Sequence, residues 1–276
     1  MPSDVRIVRA SDGVPLQYEV LGAGAPVVLL HGGFTGRSAF SRQRVLSEQY
    51  RLIIPSSRGH DGTDNRLPAD YGFQTTEVAD LCAILNAEDV DRTHVIGHSS
   101  GGATAFALGT QHPGRVNHLV LIEPTLIPLL PVPYRQQTVQ GFESIIQLGE
   151  REGDAAALRA AIAYFGGAAW SRLDASVQQA RLDSLANLAP VTVHHGRGLL
   201  AFSIDDEDVR DLRPPTLLLY GTTSYDFEPA IAQRFRELRP DLPLVVVEGA
   251  GHNLHREQPD FVNSTIAKFL RSNISA

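Results

Sequence analysis

The chain has 276 residues, 43% of them hydrophobic and 20% charged, a globular balance long enough to bury a sizeable core as one α/β domain with an insertion or two small domains. A formal net charge of -7 and the lack of any Lys/Arg cluster exclude a nucleic-acid surface. The single cysteine, Cys82, excludes an intrachain disulfide, and the mixed polarity of Met1 to Tyr18 reads as neither a signal peptide nor a membrane anchor, so a cytoplasmic protein is expected.

In chain order, β-type apolar runs occupy Val5 to Val8, Leu16 to Leu21, Val27 to Leu30, Leu52 to Pro55, His94 to Ile96, Leu119 to Ile122, Thr216 to Tyr220 and Leu244 to Val247. Several are too uniformly apolar for a one-sided sheet and suit central parallel strands covered on both faces. Helical periodicity falls between them, at Ser38 to Gln49, Thr75 to Asn86, Gly102 to Gln111, Pro229 to Leu238 and Pro259 to Leu270. Cys82 lies in one of these apolar helical runs and reads as a small core residue. The alternation predicts an α/β fold, a doubly wound and mostly parallel sheet with an antiparallel hairpin at the N-terminus. It stops between Thr125 and Arg213, where Ala, Leu, Gln and Arg recur at helical spacing between two proline-rich breaks. Residues 1–124 and 214–276 are therefore expected to form the core, and 125–213 an inserted helical cap.

Gly97-His98-Ser99-Ser100-Gly101 follows one strand and opens one helix. A G-x-S-x-G on such a tight turn forces its serine into a strained conformation with the hydroxyl above the sheet, facing the amide-rich start of the helix. Ser99 is the candidate nucleophile. An activated serine needs a base, and the base an orienting acid. His252, in Gly249-Ala250-Gly251-His252, leaves the strand Leu244 to Val247 at the sheet edge where Ser99 lies, and is the candidate base. His98 sits in the turn itself with its side chain expected toward the sheet, while His94, His112 and His118 read as structural. No H-E-x-x-H or other metal spacing occurs, so neither a metal nor a cofactor is expected. His31-Gly32-Gly33-Phe34 ends another strand at the same edge, which makes the Gly33 and Ser100 amides candidate oxyanion donors.

With these motifs in this order, the chain resembles the α/β-hydrolases over nearly its full length. His31-Gly32-Gly33 is similar to the family's oxyanion loop, Ser57 to Thr63 to its arginine-glycine turn, Gly97 to Gly101 to its nucleophile elbow, and Gly249 to His252 to its histidine loop. Serine at the elbow separates the chain from the epoxide hydrolases and haloalkane dehalogenases of that superfamily. The resemblance implies an aspartate shortly after Gly221, but Ser224 stands at the matching position, with Asp226 slightly beyond. Glu123, ending the sixth strand, is the other candidate acid, because strands about 4.8 Å apart allow an acid on either to reach one histidine. Zearalenone-type lactone hydrolases use a glutamate there, and Glu123 is favoured over Asp226. The reading is a serine hydrolase of a small, largely apolar carboxylic ester or lactone, acting through an acyl-enzyme. Phe34 and the cap aromatics Tyr134, Phe142, Tyr164, Phe165 and Trp170 are candidate pocket residues. Carbon-carbon bond hydrolysis, cofactor-free perhydrolysis and a ligand-binding receptor with vestigial catalysis stand as alternatives. The expected partner is a small-molecule substrate, with no nucleic acid and no membrane.

Overall fold

A computed structural model describes residues 4–272. Eight strands form a single sheet in the order β1-β2-β4-β3-β5-β6-β7-β8. They are β1 (Asp4–Arg9), β2 (Pro15–Leu21), β3 (Ala25–Leu30), β4 (Tyr50–Pro55), β5 (Thr93–His98), β6 (Val116–Ile122), β7 (Thr216–Gly221) and β8 (Leu244–Val247). The first two pair antiparallel, β2 meets β4 antiparallel, and every pairing from β4 to β8 is parallel. Every residue of β5 is buried, as its continuous apolar run requires of a strand covered on both faces.

The helices around the sheet are α1 (Thr76–Ala87), α2 (Ser100–Gln111), α8 (Glu228–Leu238), α9 (Leu254–Glu257) and α10 (Pro259–Leu270); between β6 and β7 run α3 (Val132–Glu152), α4 (Asp154–Ser171), α5 (Ala175–Ser184), α6 (Ala189–Leu200) and α7 (Asp206–Arg210). Helix α2 is made mostly of Gly, Ala, Ser and Thr, and all of its residues from Ser100 to Gly109 are buried. Its slimness lets it lie against β5 and β6, which holds its N-terminus at the sheet edge. Helix α3 buries Thr138, Phe142, Ile145, Ile146 and Gly149, the three-to-four spacing of an amphipathic helix.

One expected helix is different. Ser38 to Gln49 forms two 3₁₀ turns, Arg37–Phe40 and Gln43–Glu48, instead of an α-helix. The buried positions Phe40, Gln43 and Leu46 recur every three residues, the period of the tighter helix, and the Gln43 amide is held by the His255 carbonyl and Asn263 Oδ1. Cys82 is half-buried against the core. No helix among the described residues is long and apolar enough to cross a membrane.

Candidate active site

Parallel register brings three strand ends together. Gly97 pairs with Leu121 and His98 with Ile122, while Ile122 pairs with Leu219, so Ser99 and Glu123 leave neighbouring strands at one edge. The backbone locks them there: Ser99 N–H donates to the Ile122 carbonyl at 3.0 Å, Glu123 N–H to Leu219 at 3.0 Å, and Thr125 N–H to Ser99 at 3.0 Å. Ser99 has φ 55° and ψ -122°, and Glu123 has φ 43°. Both are in the region that disfavours side chains, at a cost on the order of 1–3 kcal/mol each, so packing and hydrogen bonds hold the two residues in place. The turn is possible because a Cβ on Gly101 would lie 2.3 Å from the Leu30 carbonyl oxygen, and one on Gly32 would lie 2.9 Å from Ser99 Cβ.

Glu123 is completely buried and fully occupied. Its Oε1 accepts the Gly221 N–H at 2.8 Å; its Oε2 accepts the Ser224 hydroxyl at 2.5 Å and the His252 Nδ1–H at 2.6 Å. Ser224, at the position where the resemblance implies an acid, instead donates its hydroxyl to Glu123. Asp226 is exposed and makes no hydrogen bond to His252. With its proton on Nδ1, a neutral His252 ring leaves Nε2 as the basic nitrogen. The ring lies between Tyr225, at 4.8 Å, and His98, at 4.7 Å between centroids.

His98 is buried against His252 and His255. Burial and the neighbouring His255 and His252 push its imidazole well below the ordinary value, so it is neutral and carries one proton. Nε2–H donates that proton to the His252 carbonyl at 2.8 Å, tying the histidine loop to the residue that precedes Ser99. This bond depends on a loop folding back from far along the chain, which no local pattern reveals. His94 and His118 meet each other at 3.1 Å near the other end of their strands.

Gly33 and Ser100 come together as the motif order implies. A Cβ on Gly33 would sit 4.0 Å from Ser100 Oγ, and neither backbone N–H donates to another protein group among the described residues. Buried His31 holds this loop, its Nδ1–H donating to the Gly32 carbonyl at 2.9 Å while Nε2 accepts the Ser57 N–H at 3.1 Å. Ser99 Oγ lies 3.3 Å from Thr125 Oγ1 and makes no hydrogen bond to His252. Hydrogen bonds of this kind often tighten only once substrate is bound. Thr125 was not a sequence candidate, and its only signal is proximity to Glu123.

A cavity of 570 Å³ opens above Ser99 and His252, with Gly33 and Ser100 in its wall. Of the candidate pocket residues, Phe34, Phe142, Phe165 and Trp170 line it, together with Phe73, Val191 and Tyr225, which the sequence did not single out. Tyr164 borders a smaller, water-sized space beside it, with Phe142, Phe165 and Glu228. Tyr134 does not line either cavity; it is 41% exposed, because the first turn of α3 projects beyond the packed part of that helix. Two exposed arginines, Arg181 and Arg256, also border the large cavity. Glu123, Glu228 and His252 bring ligand-type atoms within 4.8 Å of one another, but Glu123 already accepts three protein hydrogen bonds, which occupy most of the lone pairs an ion would need.

The sequence model of the alpha/beta hydrolase family matches residues 27–265, and the chain belongs to that family. It is 29% identical to a 2-hydroxy-6-oxo-2,4-heptadienoate hydrolase of Pseudomonas putida over 92% of this chain and 91% of that one. Among solved structures, an esterase from Thermogutta terrifontis superposes with a TM-score of 0.78 at 23% identity, covering 97% of this chain and 98% of that one. An enol-lactonase from Burkholderia xenovorans does so with a TM-score of 0.78 at 18% identity, covering 97% and 100%. The first relative's name makes it a hydrolase, and the two structures share this fold.

Proposed function

We propose that the protein is a serine hydrolase that cleaves a carboxylic ester or lactone of a small, largely apolar substrate. The observation that carries this reading is the 2.6 Å hydrogen bond from His252 Nδ1–H to a buried, fully hydrogen-bonded Glu123, beside a serine held at positive φ. In the proposed reaction His252 Nε2 takes the Ser99 hydroxyl proton as Oγ attacks the substrate carbonyl carbon. The Gly33 and Ser100 amides accommodate the oxyanion, and the imidazolium returns its proton to the leaving oxygen. Water then repeats the sequence on the acyl-enzyme and frees Ser99. The aromatic walls and 570 Å³ volume suit a ring-bearing substrate of modest size. A fluorophosphonate probe followed by an ester and lactone panel tests the reading: labelling at Ser99 and turnover support it, and labelling of another serine with Ser99 untouched overturns it.

A second reading is hydrolysis of a carbon-carbon bond in an anionic substrate by the same residues. Arg181 and Arg256 at the cavity border favour it, as does similarity to a hydrolase named for a heptadienoate. Preference for a ring-fission dienoate over p-nitrophenyl esters separates the two.

A further inference from the structure

Glu228 is the first residue of α8 and is 2% exposed. One of its carboxyl oxygens, Oε1, is buried without a hydrogen-bond partner and lies 3.8 Å from His252 Nδ1, the nitrogen that Glu123 engages. A buried acceptor left unpaired is costly, and here it points at a donor already in use. Shortening that gap by about 1 Å would bring it within hydrogen-bond range.

We propose that Glu228 is a reserve positioning carboxylate, placed to accept the His252 Nδ1–H when Glu123 cannot. The inference rests on the serine-hydrolase reading above. Two carboxylates this close do not both ionise in a buried site. Burial and the charge of Glu123 hold the Glu228 carboxyl well above the ordinary range, so with Glu123 intact Glu228 is a neutral acid and stands aside. Without the Glu123 charge, one of the two causes disappears. Glu228 also sits at the N-terminus of an 11-residue helix, whose dipole favours the ionised form. The other titratable groups facing it are His252, Tyr225 from the preceding loop and Tyr164 across the small cavity. Burial raises both tyrosines, Tyr225 to about 12, so neither supplies charge at working pH.

The test is a double-mutant cycle of Glu123→Gln and Glu228→Gln, following p-nitrophenyl acetate hydrolysis and fluorophosphonate labelling from about pH 6 to 10. Glu123→Gln should lose about a hundredfold in kcat near neutral pH and recover as pH rises, because Glu228 must ionise to take over. Adding Glu228→Gln should abolish that recovery and cost at least a further tenfold, a larger factor than the same change produces beside intact Glu123. Coincident profiles for the single Glu123 variant and the double variant would overturn the proposal. If the double variant does not fold, a flat alkaline profile of Glu123→Gln alone overturns it, and a rising one supports it. Failure of the wild type to label at Ser99 would overturn the serine reading and this inference together, whereas labelling with coincident profiles would reject only the reserve role.

Discussion

The protein buries two pairs of neighbouring carboxylates and compensates them in opposite ways. Glu77 and Asp80, on α1, share their surroundings with Arg58, whose guanidinium grips Asp80 at 2.7 and 2.8 Å and also reaches Asp12 at 2.6 Å. Glu77 accepts hydroxyls from Tyr71 at 2.6 Å and Ser57 at 3.1 Å. Among the described residues, neither Glu123 nor Glu228 has an arginine or lysine within salt-bridge reach; their shared partner is His252. An arginine is always charged, so the Asp80 member of the first pair is held by a permanent cation. An imidazole takes up and releases a proton where a guanidinium does not, so the second pair can answer to a proton arriving on the ring. The contrast separates a cluster built for stability from one able to take part in chemistry.

The largest effects should fall on the second cluster. Ser99→Ala and His252→Ala should each lower kcat by a thousandfold or more without changing the circular dichroism spectrum, and combining them should cost little beyond either one. A strongly additive double variant would show that the residues do not act as a unit. In the first cluster Arg58→Met leaves Asp80 buried and unpaired, so urea unfolding should show a loss of about 3–5 kcal/mol. Arg58→Lys should recover only part of this, because an ammonium cannot make the two-pronged contact. A stability loss in Arg58→Met no larger than that of a surface substitution would break the comparison.

Next comes the acid itself. Glu123→Gln should cost about a hundredfold in kcat, since an amide presents a donor to a site that receives three, while Asp226→Asn should stay within about twofold of wild type. The reverse order would place the orienting acid on the β7–α8 loop. The last prediction concerns pH and stability. Burial raises the Glu77 carboxyl from 4.5 to about 7. A raised acid stabilises the fold below its unfolded value and loses that contribution as pH climbs through the folded one. Wild type should therefore lose up to roughly 3 kcal/mol from this group between pH 4.5 and 7, and Glu77→Gln should flatten that slope in urea titrations. An unchanged slope in the variant would show that Glu77 carries none of it.

Much of this architecture is readable from residue order because the physics behind it is local. Uniform apolar runs mark strands covered on both faces, and the small residues from Ser100 to Gly109 mark a helix lying flat on a sheet. The placement of Ser99, Glu123 and His252 at one edge follows from parallel register once those strands are assigned. What was not legible depends on contacts between distant segments. The 3₁₀ turns near Phe40 answer to His255 and Asn263, and the tie from His98 to the His252 carbonyl exists only once the final loop has folded back. Glu228, just before the expected helix Pro229 to Leu238, carries no local signal of its place beside His252, which is set by the packing of α8 against β7.

Because the carboxylate bonded to His252 Nδ1 follows β6 and is pinned by Gly221 N–H, the connection between β7 and α8 is relieved of supplying that charge. Its direct contribution to Glu123 is the Ser224 hydroxyl. For protein engineering, residues 222–227 are therefore a graft point: segments of other lengths that keep a hydroxyl donor to Glu123, the Thr222 tie to Gly249 and an aromatic ring against His252 would reshape this wall without relocating the carboxylate.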